Sequence, residues 1–232
     1  MATETRPRIV VLDGQTLTRA AARGAAPPGE PSWEGLADLG ELAVYPRTPP
    51  DQVVERARGA AIVLTNKALL PAGAIAALPE LRFVSVLATG TNVVDLQAAK
   101  QAGVTVSNVP GYSTDSVVQH VFALLLEICV RLSDHDRAVH AGGWVESPDF
   151  SFTVGATTEL AGKDLGIVGV GAIGRRVAQV GDALGMRVLA AQQSSMSRVD
   201  LGPVRIRWMP VDELFDAADV VTLHCPLTPA TE

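Results

Sequence analysis

Three glycines, Gly169, Gly171 and Gly174, follow the apolar run Leu165-Gly166-Ile167-Val168 at the spacing GxGxxG. Each has a physical task in a turn that cradles a diphosphate. The first permits the tight turn, the second lets backbone approach the pyrophosphate, and the third lets a helix pack closely on a strand. Ala172 and Ile173 open that helix, so their free backbone N–H groups and the positive end of the helix dipole would face the anion. Glycine-rich turns are common, and the motif alone is a weak signal. What strengthens it is the frame: a short apolar strand before it, helical spacing through Leu184 after it, then a second apolar run, Val188 to Ala191. Strand, turn, helix and strand together predict a dinucleotide site.

Other side chains able to do chemistry read more simply. His120 lies in an apolar helical stretch and is expected as a satisfied core or interface histidine; His135 and His140 follow in a polar segment and are expected at the surface. Asp134 and Asp136 flank His135, but neighbours in sequence point apart on a helix, so no metal cluster is expected. Arg131 and Arg137 read as solvated charges. His224 ends an apolar run on the expected cofactor side, with no further sign of a catalytic role. Cys129 and Cys225 have no partner spacing for a disulfide framework or a zinc site and read as small buried hydrophobes.

Composition narrows the classes. The chain has 232 residues, 47% of them hydrophobic, enough for one large or two modest domains. A net charge of −6 without any basic stripe argues against a nucleic-acid partner. The most apolar helical stretch, Val117 to Val130, is interrupted by Gln119, His120 and Glu127 and reads as a buried helix, not a membrane span. Met1 to Arg8 lacks the apolar core of a secretory signal, so a cytoplasmic setting is expected.

The elements that must position the glycine turn alternate in type. Strands are expected at Ile9 to Leu12, Leu42 to Tyr45, Ala60 to Leu64, Phe83 to Leu87 and Val104 to Val106, with helices at Asp51 to Arg58, Ala72 to Leu78 and Val93 to Ala102. Such alternation implies an α/β fold with a parallel sheet covered on both sides. Arg23 to Ser32 reads as loop. Asn108-Val109-Pro110-Gly111 breaks every periodicity and marks a crossover between domains, placed as 1–107 and 108–232. The long helix follows, with Ser113 or Thr114 as its N-cap; then Ala141 to Trp144 and Ser147 to Thr158 read as irregular connection. Beyond the glycine unit come a polar loop, Gln192 to Pro203, a short strand at Arg205 to Trp208, a helix at Val211 to Ala217 and a strand at Val220 to Leu223.

Several stretches in this order resemble the D-2-hydroxyacid dehydrogenases, most closely the glycerate dehydrogenase (hydroxypyruvate reductase) branch. They are Leu87-Ala88-Thr89-Gly90-Thr91-Asn92-Val93-Val94-Asp95, Asn108 to Ser116, Ser147-Pro148-Asp149-Phe150, Leu160 to Gly174 and Leu223 to Thr228. The resemblance implies a flavodoxin-like substrate domain followed by a Rossmann cofactor domain, with an active cleft between them. It implies that backbone at Ala88, Thr89, Gly90 and Thr91 receives a substrate carboxylate, with Thr89 also against the nicotinamide end. Gly169, Gly171, Ala172, Ile173 and Gly174 would hold the pyrophosphate, and Cys225, Pro226 and Leu227 the ribose side of NAD or NADP. The substrate would be a small 2-keto acid, such as hydroxypyruvate or glyoxylate, and the protein a homodimer through the long helix.

Three departures qualify this. Where many relatives have an acidic residue about 20 positions past the glycines, this chain has Gln192-Gln193-Ser194, which leaves NADP as open as NAD; the nearby Arg198 reads as a solvated loop charge. Ala172 stands where the family often has arginine, leaving backbone donors to bind phosphate. The family's substrate-orienting arginine and its glutamate–histidine acid/base pair follow the Cys-Pro-Leu-Thr segment and have no counterpart in residues 1–232. The resemblance therefore predicts a Rossmann unit short of its last strands, no catalytic residue in this chain and turnover near background. The alternative is a non-catalytic dinucleotide-binding or interaction module.

Overall fold

Arg8–Val11 forms strand β1 because three β-branched residues in a row suit a pleated strand covered on both faces, and Ile9, Val10 and Val11 are all buried. The computed structural model describes residues 6–17, 33–192, 203–226 and 231. Arg23 to Ser32 and most of the loop expected from Gln192 to Pro203 lie outside those residues. The chain divides into two compact units, Met1–Tyr112 and Ser113–Glu232.

In the first unit β1 pairs with β2 (Glu41–Val44) on one side and β3 (Ile62–Thr65) on the other, followed by β4 (Phe83–Val86) and β5 (Thr105–Ser107). All pairs are parallel, and the order β2-β1-β3-β4-β5 is that of a flavodoxin-like doubly wound sheet. The connections carry helices α1 (Glu34–Leu39), α2 (Val53–Ala57), α3 (Ala72–Ala76) and α4 (Leu96–Gln101). One sheet face packs Val10, Leu12, Val63 and Val84 against Val53, Ile75 and Ala99. The other packs Ile9, Val11 and Leu64 against the partly buried Trp33 and Leu36.

Two helices differ from expectation at their starts. The segment expected from Asp51 opens as a 3₁₀ turn, Pro50–Gln52, with Gln52 N donating to Pro49 O at 3.0 Å. Val93 does not begin α4: Leu70 N donates to Val93 O at 2.7 Å and Asp95 N to Leu70 O at 3.0 Å, tying this backbone to a neighbouring loop. Asp95 then caps the helix by accepting from Ala98 N at 2.9 Å.

The second unit starts with α5 (Thr114–Val130), α6 (Leu132–His140) and α7 (Gly143–Glu146). Strands β6 (Asp164–Val168), β7 (Arg187–Ala191), β8 (Ile206–Met209) and β9 (Val220–Leu223) make a parallel sheet of order β8-β7-β6-β9, with α8 (Ala172–Ala183) and α9 (Val211–Ala217) in the connections. That order matches the first four strands of a Rossmann sheet, with β6 central. Phe122 and Leu125 of α5 pack with Val177 and Ala178 of α8 and with Leu165 and Ile167 of β6, while Leu189, Met209 and Leu214 fill the opposite face.

Here the structure corrects the reading of Val117 to Val130 as a buried helix. Val118, Phe122, Leu125 and Cys129 form the buried stripe at helical spacing, and Leu124, Leu126, Ile128 and Val130 on other faces are exposed. His120 is exposed with them, so it is not a core histidine. Ser113 takes the N-cap position without a side-chain hydrogen bond. The helix stops at Arg131, whose φ of 56° is left-handed, and α6 departs at 60°. No single described helix is long and apolar enough to cross a membrane. Gly143–Glu146 is a helical turn, not irregular chain, entered through Gly142 at φ 91°.

Candidate functional site

At the carboxyl end of β6 the backbone reverses through Gly169, whose φ of 97° disfavours any side chain. A Cβ there would also stand 2.6 Å from His224 C and Cys225 N, because the segment leaving β9 crosses against it. Gly174 is equally constrained: a Cβ would lie 2.1 Å from Gly169 O, so the first turn of α8 rests on the turn itself. Gly171 differs. Its φ of −79° suits any residue, and a Cβ would meet nothing within 4 Å. The protein's own packing thus requires Gly169 and Gly174 but not Gly171, which leaves open space over the turn.

That space faces free donors. Gly171 caps α8 without a side-chain bond, and the first helical bond is Arg175 N to Gly171 O at 3.0 Å. The N–H groups of Ala172, Ile173 and Gly174 therefore have no intrahelical acceptor, and no acidic residue sits in the first turn to compete for an anion. A glycine whose Cβ would fill an otherwise empty cradle, beside three such donors, fits the diphosphate of a dinucleotide.

The neighbouring strand ends complete the rim. Gln192 is exposed just beyond β7, its N–H held by Met209 O at 2.8 Å. After β9, His224 N donates to Val168 O at 2.7 Å, and the imidazole Nε2 shares a 2.8 Å hydrogen bond with Thr222 Oγ1. Burial pushes the His224 imidazole below its ordinary value of 6.5. Cys225 is half-buried, against the expectation of a buried hydrophobe, because it lies on this rim and not in a core; Cys129 is buried as expected. Pro226 is exposed, and Leu227 lies outside the described residues.

In the first unit, Ala88, Thr89, Gly90 and Thr91 form the loop leaving β4, again at a carboxyl strand end. Asn108 Nδ2 donates to Thr89 O at 2.8 Å, Thr89 Oγ1 to Val109 O at 3.1 Å, and Val109 N to Ala88 O at 3.1 Å. These bonds hold the loop and leave its own N–H groups without an acceptor among the described residues, so they can receive a carboxylate. Asn108, read from sequence as part of a crossover and of a resembling stretch but given no role of its own, is the positioning residue missed; its place directly before Val-Pro-Gly was the available signal.

The remaining candidates serve structure. His135 is half-buried, not a surface residue: Nδ1 donates to Arg131 O at 2.9 Å and Nε2 accepts from Val154 N at 3.0 Å, a tautomer that braces the connection after α7. Asp134 is held by Arg131 and Arg137, and the Arg131 hydrogen bond keeps its carboxyl below the usual range. His140 lies exposed beside Asp136.

A parallel sheet with a phosphate-type glycine turn at its central strand defines a dinucleotide-binding α/β protein. Residues 122–232 match the family described as D-isomer specific 2-hydroxyacid dehydrogenase, NAD binding domain. The chain is 43% identical over 228 residues to the hydroxypyruvate reductase of Blautia hydrogenotrophica, covering 97% of this chain and 67% of that protein. It is 37% identical over 183 residues to the glycerate dehydrogenase of Methylorubrum extorquens, covering 79% and 55%. The solved D-lactate dehydrogenase of Aquifex aeolicus, complexed with NAD and lactic acid, superposes with a TM-score of 0.73 at 27% identity, over 96% of this chain and 62% of that one. The chain thus spans between 55% and 67% of the length of these relatives. It belongs to the D-2-hydroxyacid dehydrogenase family.

Proposed function

We propose that this chain belongs to an NAD(P)-dependent reductase of small 2-keto acids, hydroxypyruvate or glyoxylate, yielding D-glycerate or glycolate. The observation that carries the reading is Gly171, a residue the fold does not need to be glycine, set over unpaired helix amides. The name of the Blautia relative supports the substrate class.

The dinucleotide, when bound, supplies the hydride for the carbonyl carbon. Ala172, Ile173 and Gly174 would hold its diphosphate through backbone N–H groups, and Cys225 and Pro226 would lie toward its ribose. The loop Ala88 to Thr91, kept in shape by Asn108, takes the substrate carboxylate. Gln192 carries no charge to repel a 2′-phosphate, which leaves NADPH as open as NADH. Proton delivery to the keto oxygen is a separate task suited to imidazole. His224 is engaged with Thr222 and has no carboxylate partner among the described residues, so it does not serve as that acid. Residues 1–232 alone are accordingly expected to bind dinucleotide and to turn over at background.

The exposed apolar row on α5 supports a homodimer, with Ile128 at 76% exposure and Leu124 at 54%. A cytoplasmic setting keeps the free Cys129 and Cys225 reduced. Calorimetric titration with NADH and NADPH, followed by a hydroxypyruvate assay, tests the reading. Saturable binding with background turnover is expected; binding of neither dinucleotide would overturn it, and brisk reduction of hydroxypyruvate would overturn the assignment of proton delivery.

A further inference from the structure

A second crevice lies entirely within the first unit, above the carboxyl ends of β1, β2 and β3. From β1 the chain winds outward to β2, and from β3 onward it winds the other way. β1 and β3 therefore flank a topological switch point, where departing loops diverge and open α/β sheets take ligands. A cleft of about 590 Å³ occupies this place, a volume suited to a small metabolite. In the sheet order it sits over β1, two strands from the β4 loop that holds Ala88 to Thr91.

The cleft is cationic by construction. Its carboxylate, Asp13, is buried and already satisfied by backbone donors: Asn66 N at 2.9 Å, Lys67 N at 2.5 Å and Ala68 N at 2.9 Å. Arg56 is preset by Thr48 Oγ1 at 3.0 Å, Gln52 Oε1 at 2.6 Å and Arg47 O at 2.6 Å, and its guanidinium lies 4.4 Å from the Tyr45 ring centre. Arg47 and Lys67, on opposite walls, have neither a hydrogen-bond acceptor nor a carboxylate partner for their side chains among the described residues. One bond behind the wall residue Thr16, Asn66 is buried, its Nδ2 donating to Thr16 Oγ1 at 2.9 Å and its Oδ1 without a partner among the described residues. In a chain of net charge −6, three cations around one hydrogen-bonded carboxylate are a local reversal of sign.

We infer that this cleft is a second ligand site, distinct from the dinucleotide turn and the keto-acid loop, for a small phosphate monoester. The two free cations match the charge of about −1.5 to −2 that such a group carries near neutrality. Arg47 offers the planar fork suited to phosphate oxygens, Lys67 a point charge, and Arg56 a fixed positive field.

The test uses the ¹⁵N-labelled 232-residue chain saturated with NADH, titrated in parallel with glycerol phosphate and with glycerate, a three-carbon carboxylate without a phosphate. Expected are saturable amide shifts at Asp13 to Thr16, Arg47 to Gln52 and Lys67 to Leu69 from glycerol phosphate, with glycerate producing none there. The Arg47→Gln, Lys67→Gln variant should weaken this binding about tenfold or more without lowering the melting temperature. Shifts confined to Gly169 to Gly174, equal response to glycerate, or unchanged affinity in the double variant would each overturn the assignment.

Discussion

Gly171 and Gly169 show why a glycine pattern must be read residue by residue. Gly169 is glycine for the protein's sake, because its positive φ and the chain after β9 leave no room. Gly171 stands in open space, so neither its φ nor its protein neighbours require it to lack a side chain. Gly171→Ala should therefore leave stability within about 0.5 kcal/mol of the parent and weaken dinucleotide binding about tenfold or more, read by thermal melting and calorimetry on one sample. A large loss of melting temperature would show that the glycine serves the fold. His224 gives a pH signature. Its folded imidazole binds a proton less readily than the unfolded one, so as pH falls through the ordinary value of 6.5 the unfolded chain takes up the proton first. Stability is lost from there down to the lowered folded value, below which the slope ends. Melting temperatures from about pH 7.5 to about pH 5 should decline in the parent and decline less in His224→Gln.

At the level of elements, the β6–α8 junction depends on contact between helix and turn. Gly174→Ala places a methyl 2.1 Å from Gly169 O, a backbone atom that cannot rotate away. The expected loss is about 1 to 3 kcal/mol, measured by urea unfolding; an unchanged midpoint would mean that α8 shifts freely on β6. The type and order of these elements were legible because apolar runs and glycine breaks act through near neighbours. Details that depend on distant backbone were not. The start of α4 is set by Leu70, and the tautomer of His135 by Val154 N, each invisible to a local window. The candidate site divides the same way: the glycine turn was readable, whereas Asn108 shows its purpose only once β5 brings it beside Thr89.

For the whole molecule, the exposed side of α5 sets the expected state of association. Leu124, Leu126, Ile128 and Val130 join Leu132, and Trp144 and Val145 on α7 add further exposed apolar surface. If a second copy covers this surface, Ile128→Lys should convert a dimer to a monomer in light scattering and abolish any rise of melting temperature with protein concentration. A parent chain that is monomeric at all concentrations would remove the homodimer from the reading.

Residues 1–232 by themselves determine the alternation of strands and helices and the glycine turn, since each is written in spacings of a few residues, and the order of several such stretches carries the resemblance to the dehydrogenase family. Tertiary structure alone decides which stripe of α5 is buried, that Gly171 is free of protein neighbours, and that Arg47 and Lys67 share one cleft. The reason is that burial and electrostatic pairing depend on contacts between segments far apart in the chain, and sheet order is what brings those segments together.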